Sequence, residues 1–185
     1  MDRSFQTGER IMEKTNQNAS LFSEACQLLF DQDEFELKNR GLLLLEKATE
    51  QNNSEALCIL GDFCLYGKKE LVRKDVQKST VCYIRAWNLT APFFEEEYTG
   101  CIDWSYAANV CLRMGMVFLY GRSMAEDYEM AEMFFENACY GFDSLIKNGN
   151  PKAEKNLKKA QKFLLSARTK KPSLPPTSIF MIRLH

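Results

Sequence analysis

Apolar residues recur three and four positions apart along most of the chain, and polar or glycine-containing breaks cut that pattern into helix-length blocks. The blocks predict helices over 19–31, 35–51, 55–66, 75–88, 104–120, 127–147 and 151–168. Six of them group as three pairs, and the seventh closes the array. A unit that buries its apolar face only against neighbours needs an atypical end with one polar side. The last block has that form: Leu157, Ala160, Leu164 and Ala167 make an apolar stripe, and Lys152, Lys155, Lys159 and Lys162 occupy another face.

Two segments repeat without adjustment. Residues 60–67 read LGDFCLYG and residues 114–121 read MGMVFLYG, each with two glycines six positions apart. Asp75, Ser79, Cys82 and Ala86 follow the first, and Asp127, Ala131, Phe134 and Ala138 follow the second, at the same offsets from the aspartate. The offsets are helical, and the acid stands where it can cap a helix N-terminus and meet its dipole. Gly61, Gly115, Ala86 and Ala138 are expected to let a neighbouring helix approach closely, with Tyr66, Phe118 and Phe134 filling the space between. Gly67 and Gly121 fall at expected helix C-caps, where positive φ is common.

The stretch LLEKATEQNNSEALCILGDFCLYG, Leu44 to Gly67, resembles the repeat junction of the Sel-one-like family, a relative of the tetratricopeptide repeats. Leu44, Ala48, Thr49, Ala56, Leu60, Gly61 and Gly67 fall on the family's pattern, followed by Val72, Asp75, Lys78 and Ser79. A second copy runs through Met114, Gly115, Phe118, Gly121, Asp127, Ala131, Phe134 and Ala138. Cys64 and Cys82 replace expected aromatics, Asn52 replaces the turn glycine, and two extra residues enlarge the loop after Gly67. The resemblance implies an all-α, right-handed α/α solenoid of about three helix pairs plus a C-terminal capping helix. Residues 19–168 would form this repeat domain, between a partly flexible N-terminal extension at 1–18 and a C-terminal tail at 169–185. It also implies a scaffold or adaptor role in a larger complex, binding a peptide or helix of another protein in a concave groove. By analogy with tetratricopeptide packing, Glu55, Cys58, Asp62, Leu65, Asn109, Leu112, Met116 and Leu119 would line it.

With 45% hydrophobic content, 185 residues suffice for a repeat array with a continuous core. The net charge of −1 gives no global field, but it is unevenly spread. Residues 147–171 hold nine basic residues against Glu154 alone, leaving about −9 on the rest. The basic helix therefore opens an alternative, an RNA- or nucleoprotein-associated subunit docking through Lys152, Lys155, Lys159 and Lys162, beside the reading as a solvated cap. No window has the roughly 18–20 apolar residues of a membrane span, and the N-terminus lacks a signal-peptide core. A cytoplasmic location is expected, with the nucleus and the mitochondrial intermembrane space as alternatives.

Several features argue against catalysis. The single histidine is His185, so no histidine base, triad or zinc site can be built in the body of the fold. The seven cysteines, Cys26, Cys58, Cys64, Cys82, Cys101, Cys111 and Cys139, lack zinc-knuckle spacing and lie mostly in apolar helical patterns, as reduced thiols would. Asp31, Asp33 and Glu34 fit a helix end and surface better than an acid–base pair. No cofactor, metal, small-molecule substrate or enzyme activity is expected. Between the copies, Asn88 to Asp103 forms an insertion in which Phe93, Phe94 and Tyr98, beside Glu95 to Glu97, form a candidate contact patch or fold back on the solenoid. Ile179 to Leu184 is an apolar stretch in a proline-containing tail.

Overall fold

Each predicted block is a helix, and the polar residues that punctuate the pattern hold its ends. The computed structural model describes residues 19–91 and 104–170; the insertion patch at Phe93, Phe94 and Tyr98, the N-terminal extension, Cys101 and the tail beyond Lys170 lie outside the described residues. Seven α-helices are described: α1 over 19–30, α2 Phe35–Glu50, α3 Ser54–Tyr66, α4 Val76–Thr90, α5 Trp104–Leu119, α6 Tyr128–Lys147 and α7 Glu154–Lys170. A 3₁₀ turn, Pro151–Ala153, leads into α7, since proline lacks the N–H that a first turn leaves unused anyway. Asn88 to Thr90, read from sequence as the start of the insertion, is the last turn of α4.

The two copies are built alike down to single hydrogen bonds. Asp75 caps α4 by accepting from the Lys78 amide at 2.9 Å, and Asp127 caps α6 by accepting from the Met130 amide at 2.9 Å. The aspartates' own amides tie the loops back, to the Cys64 carbonyl at 2.7 Å and the Phe118 carbonyl at 3.1 Å, both three residues after the first repeat glycine. Gly67 and Gly121 end α3 and α5 with φ of 77° and 57°, as the C-cap reading requires. The tight turns α2–α3 and α6–α7 are also equivalent. Asn53 and Asn150 amides reach back to the carbonyls of Ala48 and Leu145, around Asn52 at φ 61° and Gly149 at φ 88°. Asparagine tolerates the left-handed region, so Asn52 does the work of the turn glycine.

In the α3–α4 and α5–α6 pairs an aromatic ring sits on a glycine. A Cβ on Gly61 would lie 2.4 Å from Tyr83 Cε1, and one on Gly115 2.6 Å from Phe135 Cε1. Tyr83 and Phe135 hold the same place, eight residues after the capping aspartates. Gly41 faces Leu28 and Leu29 in the first pair, and Gly141 faces Trp104 and Ala108. The stripe read from the offsets 4, 7 and 11 is buried: Ser79, Cys82 and Ala86 in α4, and Ala131, Phe134 and Ala138 in α6. Phe134 stacks on Phe118 and meets the Trp87 ring edge-on at 4.7 Å. Tyr66 is the exception, because it points outward and is 64% exposed rather than filling the space between helices.

The pairs stack into one continuous core running from Ala25 and Leu29 to Ala160 and Ala167. First helices of successive pairs touch, α3 on α5 and α5 on α7, whereas α4 and α6 stand further apart and are bridged by Trp87 against Phe134. That wedge puts α1, α3, α5 and α7 on the inner side of the curve. The repeats are also stitched across the wedge: Thr80 donates to the Arg122 carbonyl at 3.2 Å, and Arg85 to the Thr49 carbonyl at 2.9 Å.

Candidate functional site on the inner face

A cavity of 340 Å³ opens on the inner face where α1, α3 and α5 meet, lined by Phe22, Glu55, Cys58, Ile59, Tyr106, Asn109 and Arg113. Three of the sequence-predicted groove residues, Glu55, Cys58 and Asn109, stand in it, and Asp62 lies beside it as the partner of Arg113. Leu65, Leu112, Met116 and Leu119 do not belong there. They are buried in the core and, unlike the equally buried Cys58, do not line the cavity. The physical reason is helical phase: on α3 the accessible stripe runs Glu55, Ile59, Asp62, Tyr66, about 40–60° around the helix from Cys58 and Leu65. The groove read by analogy thus shares Glu55 and Asp62 with the accessible stripe and differs from it by about half a residue's rotation.

The centre of the face is an ionic node that ties α3, α4 and α5 together. Arg113 donates from Nε to Asp62 Oδ1 at 3.0 Å and from Nη2 to Oδ2, and Nη1 donates to the Asn109 carbonyl at 3.0 Å. Tyr83 donates its hydroxyl to the same carboxylate at 2.6 Å, so the ring that fills the Gly61 notch also ends on Asp62. Burial and then the neighbouring Asp62 charge raise the Tyr83 phenol far above its usual range. It stays a donor throughout the physiological range. Bidentate, charge-assisted geometry of this kind fixes orientation as well as contributing energy.

Further along, α7 brings its lysines to the same side. Lys159 lies over the Phe163 ring at 6.0 Å, Phe163 meets Tyr120 edge-on at 6.2 Å, and Arg122 lies over the Tyr120 ring at 5.1 Å. Asn156, three residues before Lys159, reaches toward Asn109 at 3.5 Å. Partial burial lowers the Lys159 pKa, and so do the positive charges of Arg113, Arg122 and Lys155, while Asp62 opposes them. Lys152, Lys155 and Lys162 are exposed, Lys158 pairs with Glu154, and Arg168 is engaged by Glu132 and Glu136 at 2.8 and 2.7 Å. The stripe of Leu157, Ala160, Leu164 and Ala167 turns inward, as the periodicity requires.

No grouping of histidine, cysteine and carboxylate side chains that could hold a metal occurs among the described residues. Asp31, Asp33 and Glu34 are on the surface. Cys26, Cys58, Cys64, Cys82, Cys111 and Cys139 are free thiols. Burial, the largest cause in each case, raises Cys58 and Cys82 to about 11 and Cys111 to about 12. Since thiolate is the reactive form, these three are expected to resist iodoacetamide at pH 8 in the native chain and to alkylate readily in urea, as peptide mass mapping would show. Rapid native labelling of Cys111 would mean that α5 opens locally. The same shifts fix the sign of the pH dependence. Unfolded thiols ionise near 9.0 while the folded ones remain protonated, so stability falls as pH rises past 9 toward 11–12.

No protein-family model matches the chain, and no curated protein matches it. Among solved structures, the chain is similar to a Sel1 repeat protein from Oxalobacter formigenes, with 21% identity over 81% of this chain and 98% of that one, at a TM-score of 0.48. No helix among the described residues is long and apolar enough to cross a membrane. The architecture is shown by the chain's own structure: among the described residues, an all-α stack of repeated helix pairs followed by α7.

Proposed function

We propose that the chain is an interaction scaffold that receives a segment of another protein along its inner face. The observation that carries this reading is the cavity between the first helices of three successive pairs. It combines apolar walls from Phe22, Ile59 and Tyr106 with polar ends from Glu55, Asn109 and Arg113. Recognition sites commonly have that form, with apolar surface for affinity and a few placed polar groups for orientation. The partly buried ionic node beneath ties α3, α4 and α5 together, which limits the ordering that would oppose binding. A stack of helix pairs offers such a face without any catalytic machinery.

A photo-crosslinking residue at position 59 tests the reading, with position 81 on the outer side as its control, since Val81 is 56% exposed on α4. In extracts of the cells that express the chain, position 59 is expected to form a discrete protein adduct and position 81 none. Ile59→Arg should abolish capture at temperatures well below its own thermal transition, which is expected to fall somewhat because Ile59 also packs against the core. Adducts at position 81 alone would move the interaction surface to the outer helices and overturn the assignment.

A further inference from the structure

The inner face is not uniform in charge. Glu55 stands at one end, and Asp62, beside the cavity, has both oxygens occupied by Arg113 and one of them also by Tyr83. Past that node three cations gather, with Glu126, engaged by Tyr128, as the acid beside them. Arg122, Lys155 and Lys159 come from two elements, and the Lys159–Phe163–Tyr120–Arg122 chain of ring contacts sets their spacing. None of these three cations makes an ion pair among the described residues, whereas Lys158 and Arg168 of the same helix do. Arg122 is also held by its backbone, through Val117 and Thr80, while its Nη1 is buried without any hydrogen-bond partner. The Arg122 guanidinium therefore has no carboxylate partner among the described residues, and only its donors that reach solvent can meet an incoming anion.

Resting on the scaffold reading, we infer that the α5–α7 end of the inner face binds the carboxylates of an acidic peptide segment, with Arg122 and Lys159 as the contacting cations. Arg113 is not available for this, because Asp62 holds it. The adjoining cavity of Phe22, Ile59 and Tyr106 takes an apolar side chain of the same segment. A peptide is favoured over nucleic acid by the asymmetry of the face. A strand carrying phosphate at every step would run from the cations onto Glu55, while a peptide can place acids at one end and an apolar residue at the other. The two rings beside the cations already carry them, Tyr120 with Arg122 and Lys170 and Phe163 with Lys159, so a base would have to displace a cation to stack there.

The test is a selection of random dodecapeptides displayed on phage against the full chain, followed by solution binding of the enriched sequence as a fluorescent peptide. Enrichment of Asp and Glu beside an apolar residue is expected. Affinity should fall about tenfold or more in Lys159→Glu and in Arg122→Gln, and should weaken with added salt. Lys159 is an exposed side chain, so its variant should melt as the parent does; if Arg122→Gln does not fold, Lys155→Glu supplies the second arm. Neutral peptides that are lost with Ile59→Arg and kept with Lys159→Glu would overturn the acidic ligand while leaving the groove standing. Peptides indifferent to both substitutions, or no enrichment, would overturn both. Lys159-dependent binding of a U-rich RNA oligonucleotide with no acidic-peptide binding would overturn the inference in favour of nucleic acid.

Discussion

Phe135→Ala is expected to lower the free energy of unfolding by about 3–5 kcal/mol, the range for emptying a fully buried aromatic site. Phe135 is 0% exposed, lies on Gly115 of α5 and stacks on Phe163 of α7 at 5.6 Å, so one ring joins three helices. Rigid helices on each side limit collapse, which keeps the loss near the upper part of that range. The reciprocal change, Gly115→Ala, presses a Cβ to 2.6 Å from Cε1 of the ring and should cost about 1–3 kcal/mol through overpacking. Combining Gly115→Ala with Phe135→Leu should cost less than the sum of the two single changes, because the smaller side chain relieves the clash. Urea denaturation of the four proteins measures this coupling. Strict additivity would show that the ring and the glycine do not meet in solution.

Asp62→Ala is expected to destabilise by about 2–3 kcal/mol, less than the 3–5 kcal/mol typical of breaking a fully buried pair, since both side chains retain some water contact. The substitution leaves the Arg113 guanidinium without its carboxylate and the Tyr83 hydroxyl without its acceptor, at side-chain exposures of 16% for Arg113 and 32% for Asp62. Much of the loss is therefore the cost of the stranded charge rather than the net worth of the bond. Removing that charge as well, in Asp62→Ala with Arg113→Met, should recover most of the stability. A double variant no more stable than Asp62→Ala would mean that the pair contributes net energy, and thermal unfolding monitored by circular dichroism decides between the two.

Much of this architecture was legible in the chain because local rules and packing agree. The aspartates at 75 and 127, the glycines at 67 and 121 and the apolar spacing all pointed to the same helix boundaries, and the structure places them there. The notch-filling rings were less visible. Tyr83 and Phe135 stand at the same offset from their aspartates, yet one is a tyrosine and the other a phenylalanine beside a more conspicuous stripe at 82 and 134. The site was partly legible for a different reason. Burial of a helix face depends on which neighbours cover it, so Leu112, Met116 and Leu119 could not be separated from the accessible stripe by periodicity alone. Arg113 gave no local signal, because its partner Asp62 lies 51 residues away. The lysines of α7 were visible as a charged face, but Arg122, which completes the cluster, belongs to another element.

A flat ring lying on a bare α-carbon is also a detent. Tyr83 over Gly61 and Phe135 over Gly115 permit one axial offset between the paired helices, since a slide of a single residue would drive the ring into a Cβ. Such stops fix the register within the α3–α4 and α5–α6 pairs, and the Phe135 ring, stacked on Phe163, carries that register on to α7 beside Lys159. On the proposed function the scaffold would work as a gauge: a partner segment would be accepted by the length between its apolar anchor and its acids as much as by its composition. Inserting one residue between those two features should be as damaging to binding as removing the acids.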